Sequence, residues 1–222
     1  MVRICVSIPT TTTATTIGVM RDLAEPDLIE LRLDYATERL DLQRFRDSTP
    51  IPLIATARVP SHGGRWGSGE AERLRLLLSA VNAGFDYIDA ESESDFLGEL
   101  VGESHKGGAS VIVSSHNLDR MPSLQEILAT SREAKGAGAD LVKIVGMALS
   151  PSDNLPCLEY LAREPGNVCF AMGALGVPSR VLSPLMGGAF TYASAGKGGG
   201  VAPGQPTLSS LREVYHLMGV TS

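Results

Sequence analysis

The sequence predicts a single-domain α/β chain, a (β/α)8 barrel over residues 1–222, and three observations carry that expectation. Eight short β-branched or apolar runs recur, at 3–9, 28–34, 52–58, 87–91, 110–116, 140–146, 168–173 and 190–196, each followed by a polar or amphipathic stretch. Shared among eight units, 222 residues leave about 28 apiece, a compact repeat with little room for insertions. A faint internal echo has the same period. Ala83-Gly84-Phe85-Asp86 leads into Tyr87-Ile88-Asp89, and Ala137-Gly138-Ala139-Asp140 leads into Leu141-Val142-Lys143, with the two glycines 54 residues, or twice 27, apart. An open doubly wound sheet is the other architecture an alternating pattern allows, but no G-x-G-x-x-G follows the first run.

Taken in order, the first run leads into the tract Thr10 to Thr16, which reads as a loop and a helix start with no function of its own. The second run contains Glu30-Leu31-Arg32-Leu33-Asp34, and the third ends in Arg58. Leu74, Leu77, Leu78 and Val81 then stand at helical spacing over 70–83, and Gly84 suits a left-handed position just past the helix end. The fourth run ends Asp89-Ala90-Glu91 and the fifth His116-Asn117. Ser123 and Glu126 form a capping box ahead of Leu124, Ile127, Leu128 and Ala134, which predicts the next helix. Lys143 lies inside the sixth run, Arg180 follows the seventh, and a glycine tract at 198–200 with Gln205 follows the eighth. That tract lacks the G-K-[ST] of a phosphate-binding loop and reads as a mobile lid.

Composition narrows the function classes. Apolar residues at 43% and charged residues at 20% describe an ordinary globular protein. A net charge of −6 gives no basic footprint for nucleic acid. No apolar run is long enough to cross a membrane, and the opening segment breaks at Pro9, too early for a signal peptide, so a cytoplasmic protein is expected. Cys5, Cys157 and Cys169 are an odd set without C-x-x-C spacing, which predicts reduced, structural thiols and no metal site.

In a barrel of this kind the working groups sit at the C-terminal ends of the strands. Strand side chains alternate faces, so Glu30, Arg32 and Asp34 share one face, and Arg58, Asp89, Glu91, His116 and Lys143 extend the set around one mouth. Lys143 stands in the middle of an apolar run, where burial and nearby cations such as Arg58 disfavour the ammonium form. A neutral amine attacks carbonyls, so imine chemistry is one reading; a snorkelling or ion-paired structural lysine is the other. His116, on the neighbouring strand, is suited to general acid/base work or to holding a loop. Guanidinium groups at Arg32, Arg58 and Arg180 suit a carboxylate, which points to a small oxygenated acid bearing a ketone. His105 and His216 read as surface residues.

Glu30-Leu31-Arg32-Leu33-Asp34, Thr56-Ala57-Arg58 with Gly63-Gly64, Ser114-Ser115-His116-Asn117, Val142-Lys143-Ile144, Met172-Gly173, Ser179-Arg180 and Ala202-Pro203-Gly204-Gln205, in that order, resemble type I 3-dehydroquinate dehydratase over nearly the whole chain. The resemblance implies a (β/α)8 barrel, dimeric, converting 3-dehydroquinate to 3-dehydroshikimate and water in the shikimate pathway without metal or organic cofactor. It assigns the imine to Lys143, proton transfer to His116, the substrate carboxylate to Arg180, and ring hydroxyls and lid to Glu30, Arg32, Arg58 and Gln205, with Ser7 a further contact. Two positions depart from the family pattern. His62 replaces a glutamate that orients the catalytic histidine, for which Glu91 is a substitute, and Val201 replaces a lid serine. Two other readings compete: an aldolase or transaldolase-like barrel using the same lysine on sugar phosphates, and a catalytically silent binding module.

Overall fold

The computed structural model describes residues 2–196 and 204–220. Eight strands alternate with helices: β1 (Ile4–Pro9), β2 (Leu28–Arg32), β3 (Leu53–Thr56), β4 (Tyr87–Glu91), β5 (Ser110–Asn117), β6 (Leu141–Met147), β7 (Val168–Met172) and β8 (Thr191–Ser194). The helices are α1 (Thr13–Arg21), α2 (Leu42–Asp47), α3 (Glu70–Asn82), α4 (Leu97–Lys106), α5 (Leu124–Gly136), α6 (Leu155–Arg163), α7 (Val177–Leu182) and α8 (Leu208–Leu217). All strands are parallel in one sheet, ordered β7-β6-β5-β4-β3-β2-β1-β8. At the seam between β7 and β8, Ala189 N–H donates to the Asn167 carbonyl at 2.8 Å, and the Phe170 and Tyr192 rings meet with centroids 5.9 Å apart. The sheet therefore curls into a nearly closed barrel, the predicted (β/α)8 architecture rather than an open sheet.

Each strand buries both faces, so the apolar residues divide into two clusters. Alternate positions such as Ile29, Leu31, Leu53, Ala55, Val111, Val113, Val142 and Ile144 pack outward against the helices. Cys5, Leu28, Ile54, Ile112, Leu141, Val168, Phe190 and Tyr192 fill the interior. The period-two alternation of each strand sends one set to each layer.

Local chemistry sets the element ends. Thr12 caps α1 by accepting from Thr15 N–H, so the threonine tract is a helix start. Ser123 and Glu126 form the expected capping box on α5, and Gly84, at φ 81°, stands past the end of α3. The second run stops short of its predicted end. Leu33–Tyr35 form a 3-10 turn, because Asp34 folds back onto Arg32 instead of continuing the strand. β3 ends at Thr56, which leaves Arg58 just above the strand, where the chain turns through Pro60.

Candidate active site

A cavity of about 310 Å³ opens at the C-terminal end of the barrel. Glu30, Arg32, Arg58, His62, His116, Lys143, Arg180, Tyr192 and Gln205 line it, with Val145, Met147, Phe170 and Met172 as an apolar wall. All but one of the residues to which the resemblance assigns a role therefore converge on one chamber. The exception is Ser7, which lies beneath it and donates a hydrogen bond to Glu30, so it touches the chamber only through that carboxylate.

A chain of alternating charges crosses the barrel. Arg73, from α3, contacts Glu91 at 2.8 Å; Glu91 contacts Arg58 at 3.1 Å; Arg58 contacts Asp89 at 2.7 Å; Asp89 contacts Lys143 Nζ at 2.9 Å; and Nζ reaches Glu30 at 3.3 Å. All six are buried. Burial works against ionising Asp89, yet Arg58 and Lys143 outweigh it and hold the carboxyl well below its ordinary value. Glu30 behaves alike: burial opposes its charge, and Lys143 and Arg32 still carry it below the usual range.

Lys143 is buried, as the apolar run around it predicts, and its Nζ lies 4.3 Å from the centre of the Tyr192 ring. Asp89 stands between Arg58 and Lys143, and the neighbours of Nζ are the Asp89 and Glu30 carboxylates.

Arg32 and Arg58, whose guanidinium groups suit a carboxylate, already hold partners from the chain itself. Arg32 grips Asp34 with both Nε and Nη2 at 2.8 Å, and Arg58 is held by Asp89, Glu91 and the Ser114 hydroxyl. Arg180 differs. It is 1% exposed, stacks over the Phe170 ring at 4.1 Å, and among the described residues faces no carboxylate, while its Nη2 has no hydrogen-bond partner. Burial lowers its pKa to about 10. An uncompensated buried guanidinium beside a cavity is a site built for an anion.

His116 stands on β5 one inward step above Ser114, the register partner of Lys143. Burial first, and then Arg58 and Lys143, pull its pKa well below the ordinary value, so its imidazole is neutral near pH 7. Gln205 is set by Gly204, at φ 70°, where a Cβ would meet the Gly173 carbonyl oxygen at 2.4 Å. Only glycine lets this segment approach the end of β7 so closely. Among the described residues no group of three or more His, Cys, Asp or Glu side chains is arranged to hold a metal ion.

The model of the type I 3-dehydroquinase family matches residues 4–222. The chain belongs to that family. A 3-dehydroquinate dehydratase of Methanosarcina barkeri is 34% identical over 206 residues, covering 86% of this chain and 85% of the relative. One of Dehalococcoides mccartyi is 35% identical over 191 residues, covering 84% and 83%. Among solved structures, the 3-dehydroquinate dehydratase of Geobacillus kaustophilus superimposes with a TM-score of 0.87 at 27% identity, covering 99% of this chain and 91% of that one. The type I enzyme of Clostridium difficile, with covalent modified comenic acid, gives 0.84 at 28% identity and covers 97% and 91%. As a type I 3-dehydroquinase the chain is a hydro-lyase, and neither the aldolase reading nor the silent module is favoured.

Within this type I 3-dehydroquinase, Glu91 does not orient His116. Both of its oxygens are engaged, by Arg58 and Val59 N–H on one side and Arg73 on the other. His62 does lie beside His116. Val201 and the glycine tract at 198–200 fall outside the described residues. Among the polar residues of the site, three escaped the sequence reading. Arg73 sits on a helix whose pattern signals only an amphipathic face. Glu93 is an acidic residue in a turn, without context to mark it. Tyr192 was legible in principle, since it shares the inward parity of Ser194 on β8.

Proposed function

We propose that Lys143 forms an imine with the C3 ketone of 3-dehydroquinate and that His116 moves the protons. One observation carries this reading: a buried lysine amine flanked by two carboxylates, in a chamber that also holds a neutral histidine and an unpaired arginine.

The substrate carboxylate binds Arg180 and supplies the negative charge that this guanidinium lacks. With the carboxylate fixed there, the ketone meets Nζ. Condensation forms a C=N bond and releases water, and the protonated imine draws electron density from C2. Glu30 and Asp89 provide counter-charges for that cation as they do for Lys143. The neutral imidazole of His116 takes the C2 proton, and the electron pair moves toward nitrogen. It returns as the C1–O bond breaks, and His116 delivers its proton to the departing hydroxyl, which leaves as water. Hydrolysis of the imine then frees 3-dehydroshikimate and restores the amine. Glu30, Arg32, Arg58 and Gln205 bind the ring hydroxyls, with Ser7 holding Glu30 in place.

Residues 1–222 act as one catalytic barrel, in the cytoplasm, as a homodimer. No described helix is long and apolar enough to cross a membrane. Leu149, Leu155 and Leu175 leave apolar side chains exposed around Asn154, whose amide ties the start of α6 to the Leu175 carbonyl, and such a strip suits a second copy.

The test is reductive trapping. Borohydride added with 3-dehydroquinate is expected to attach the reduced substrate skeleton to Lys143, as read by peptide mass. No adduct, or an adduct formed only with sugar phosphates, would overturn the proposal.

A further inference from the structure

His116 and His62 meet edge to face, with ring centroids 5.8 Å apart and planes at 80°. Each ring has a buried Nδ1 with no hydrogen-bond partner among the described residues. The far side of His62 is occupied: its Nε2 lies 2.7 Å from a carboxylate oxygen of Glu93, in the turn after β4. His62 is 12% exposed and Glu93 66%, so the pair runs from the chamber wall to solvent. The turn carrying His62 is rigid. Gly63 stands at φ 77°, Gly64 N–H donates to the Val59 carbonyl at 2.9 Å, and a Cβ on Gly64 would lie 2.0 Å from the Arg58 carbonyl oxygen.

We infer that Glu93 and His62 form a positioning pair for His116, a carboxylate acting on the general base through an intervening imidazole. Glu93 accepts from Nε2–H of His62, which fixes that tautomer and leaves Nδ1 of His62 as an acceptor. That lone pair takes the Nδ1–H of His116, directly or through one water, and satisfies both orphaned atoms. His116 is then left with its Nε2 lone pair free for substrate. When Nε2 gains a proton, the positive charge is shared with His62 and balanced by Glu93. Among the described residues the other charged groups facing His116 are Arg58 from the end of β3, Asp89 from β4 and Lys143 from β6, and each is already engaged in the buried chain. Among the described residues Glu93 is the one carboxylate in contact with His62, and it is exposed enough for the proton to exchange with bulk water.

This inference rests on His116 being the acid/base group, so the experiment separates the two. Steady-state kcat and KM are measured against pH for the parent, Glu93→Gln, Glu93→Asp, His62→Glu and the double variant His62→Glu/Glu93→Gln, with borohydride trapping at Lys143 run on each. Glu93→Gln is expected to keep the Lys143 adduct and a KM within about twofold, to lose about three- to tenfold in kcat, and to move the acid limb to lower pH, because His116 loses support for its protonated form. Glu93→Asp restores most of the loss. In the His62→Glu background the carboxylate is supplied directly, and Glu93→Gln then adds nothing. Superimposable profiles for Glu93→Gln and the parent, or an equal loss with and without His62, would overturn the inference. A missing adduct in the parent would instead overturn the function proposed above.

Discussion

Replacing Arg180 with methionine is expected to make the protein more stable and almost inactive. The guanidinium is buried, among the described residues it faces no carboxylate, and burial lowers its pKa to about 10. At 1.36 kcal/mol for each tenfold change, that fall costs the charged form roughly 3 kcal/mol. Because the folded value lies below the unfolded one, the whole penalty is present at neutral pH. Stacking on Phe170 offsets about 1 to 2 kcal/mol of it. An apolar side chain of similar length removes both contributions, for a net gain of roughly 1 to 2 kcal/mol, or about 2–8 °C in Tm for a chain of this size. Binding moves the other way. Losing a buried charge pair to the substrate carboxylate costs about 2 to 5 kcal/mol, so kcat/KM falls by about 30-fold to several thousandfold. Calorimetric melts without substrate give the first quantity, and the growth of the conjugated enone absorbance gives the second. A lower Tm together with kcat/KM within threefold of the parent would refute the reasoning, since Arg180 would then be a structural cation.

Three further outcomes are expected. Lys143→Met abolishes the borohydride adduct and lowers kcat by at least about a thousandfold, and it destabilises the fold by about 3–5 kcal/mol in urea melts because Glu30 and Asp89 lose their shared cation. Gly64→Ala drives a Cβ into the Arg58 carbonyl; urea melts should show a loss of about 2 kcal/mol or more, and KM should rise as Arg58 and His62 shift. Stability falls as pH drops below about 6.5, because His116 takes up its proton more readily unfolded than folded, with a slope near 1.4 kcal/mol per pH unit. His116→Asn removes that slope in urea melts between pH 7.5 and 5. A second decline begins near pH 4, where Asp89 and Glu30 are protonated in the unfolded chain but still ionised in the fold.

The barrel and most of its chamber were legible because strand parity is simple arithmetic. Once 28–34 reads as a strand, Glu30 and Arg32 share a face, and a lysine inside an apolar run at 140–146 has nowhere to point except inward. What the spacing does not carry is partnership. Asp34 folds back to clamp Arg32, Asp89 stands between Arg58 and Lys143, and Ser7 serves Glu30 instead of the cavity, because each pairing depends on register and height around the barrel. Arg73 was harder still. A long side chain reaching from a surrounding helix to a strand end leaves no periodic trace, and its own helix reads as amphipathic with or without it. Glu93 meets His62 only because two separate turns converge in space.

The row of six alternating charges from Arg73 to Glu30 holds three positive and three negative members and sums to zero. A single swap at any link strands an odd charge in a dry interior, whereas a matched swap of neighbours keeps the balance. Drift at these positions should therefore proceed in couples. The couple most remote from the Lys143 amine, Arg73 with Glu91, is where exchange to an apolar pair is best tolerated.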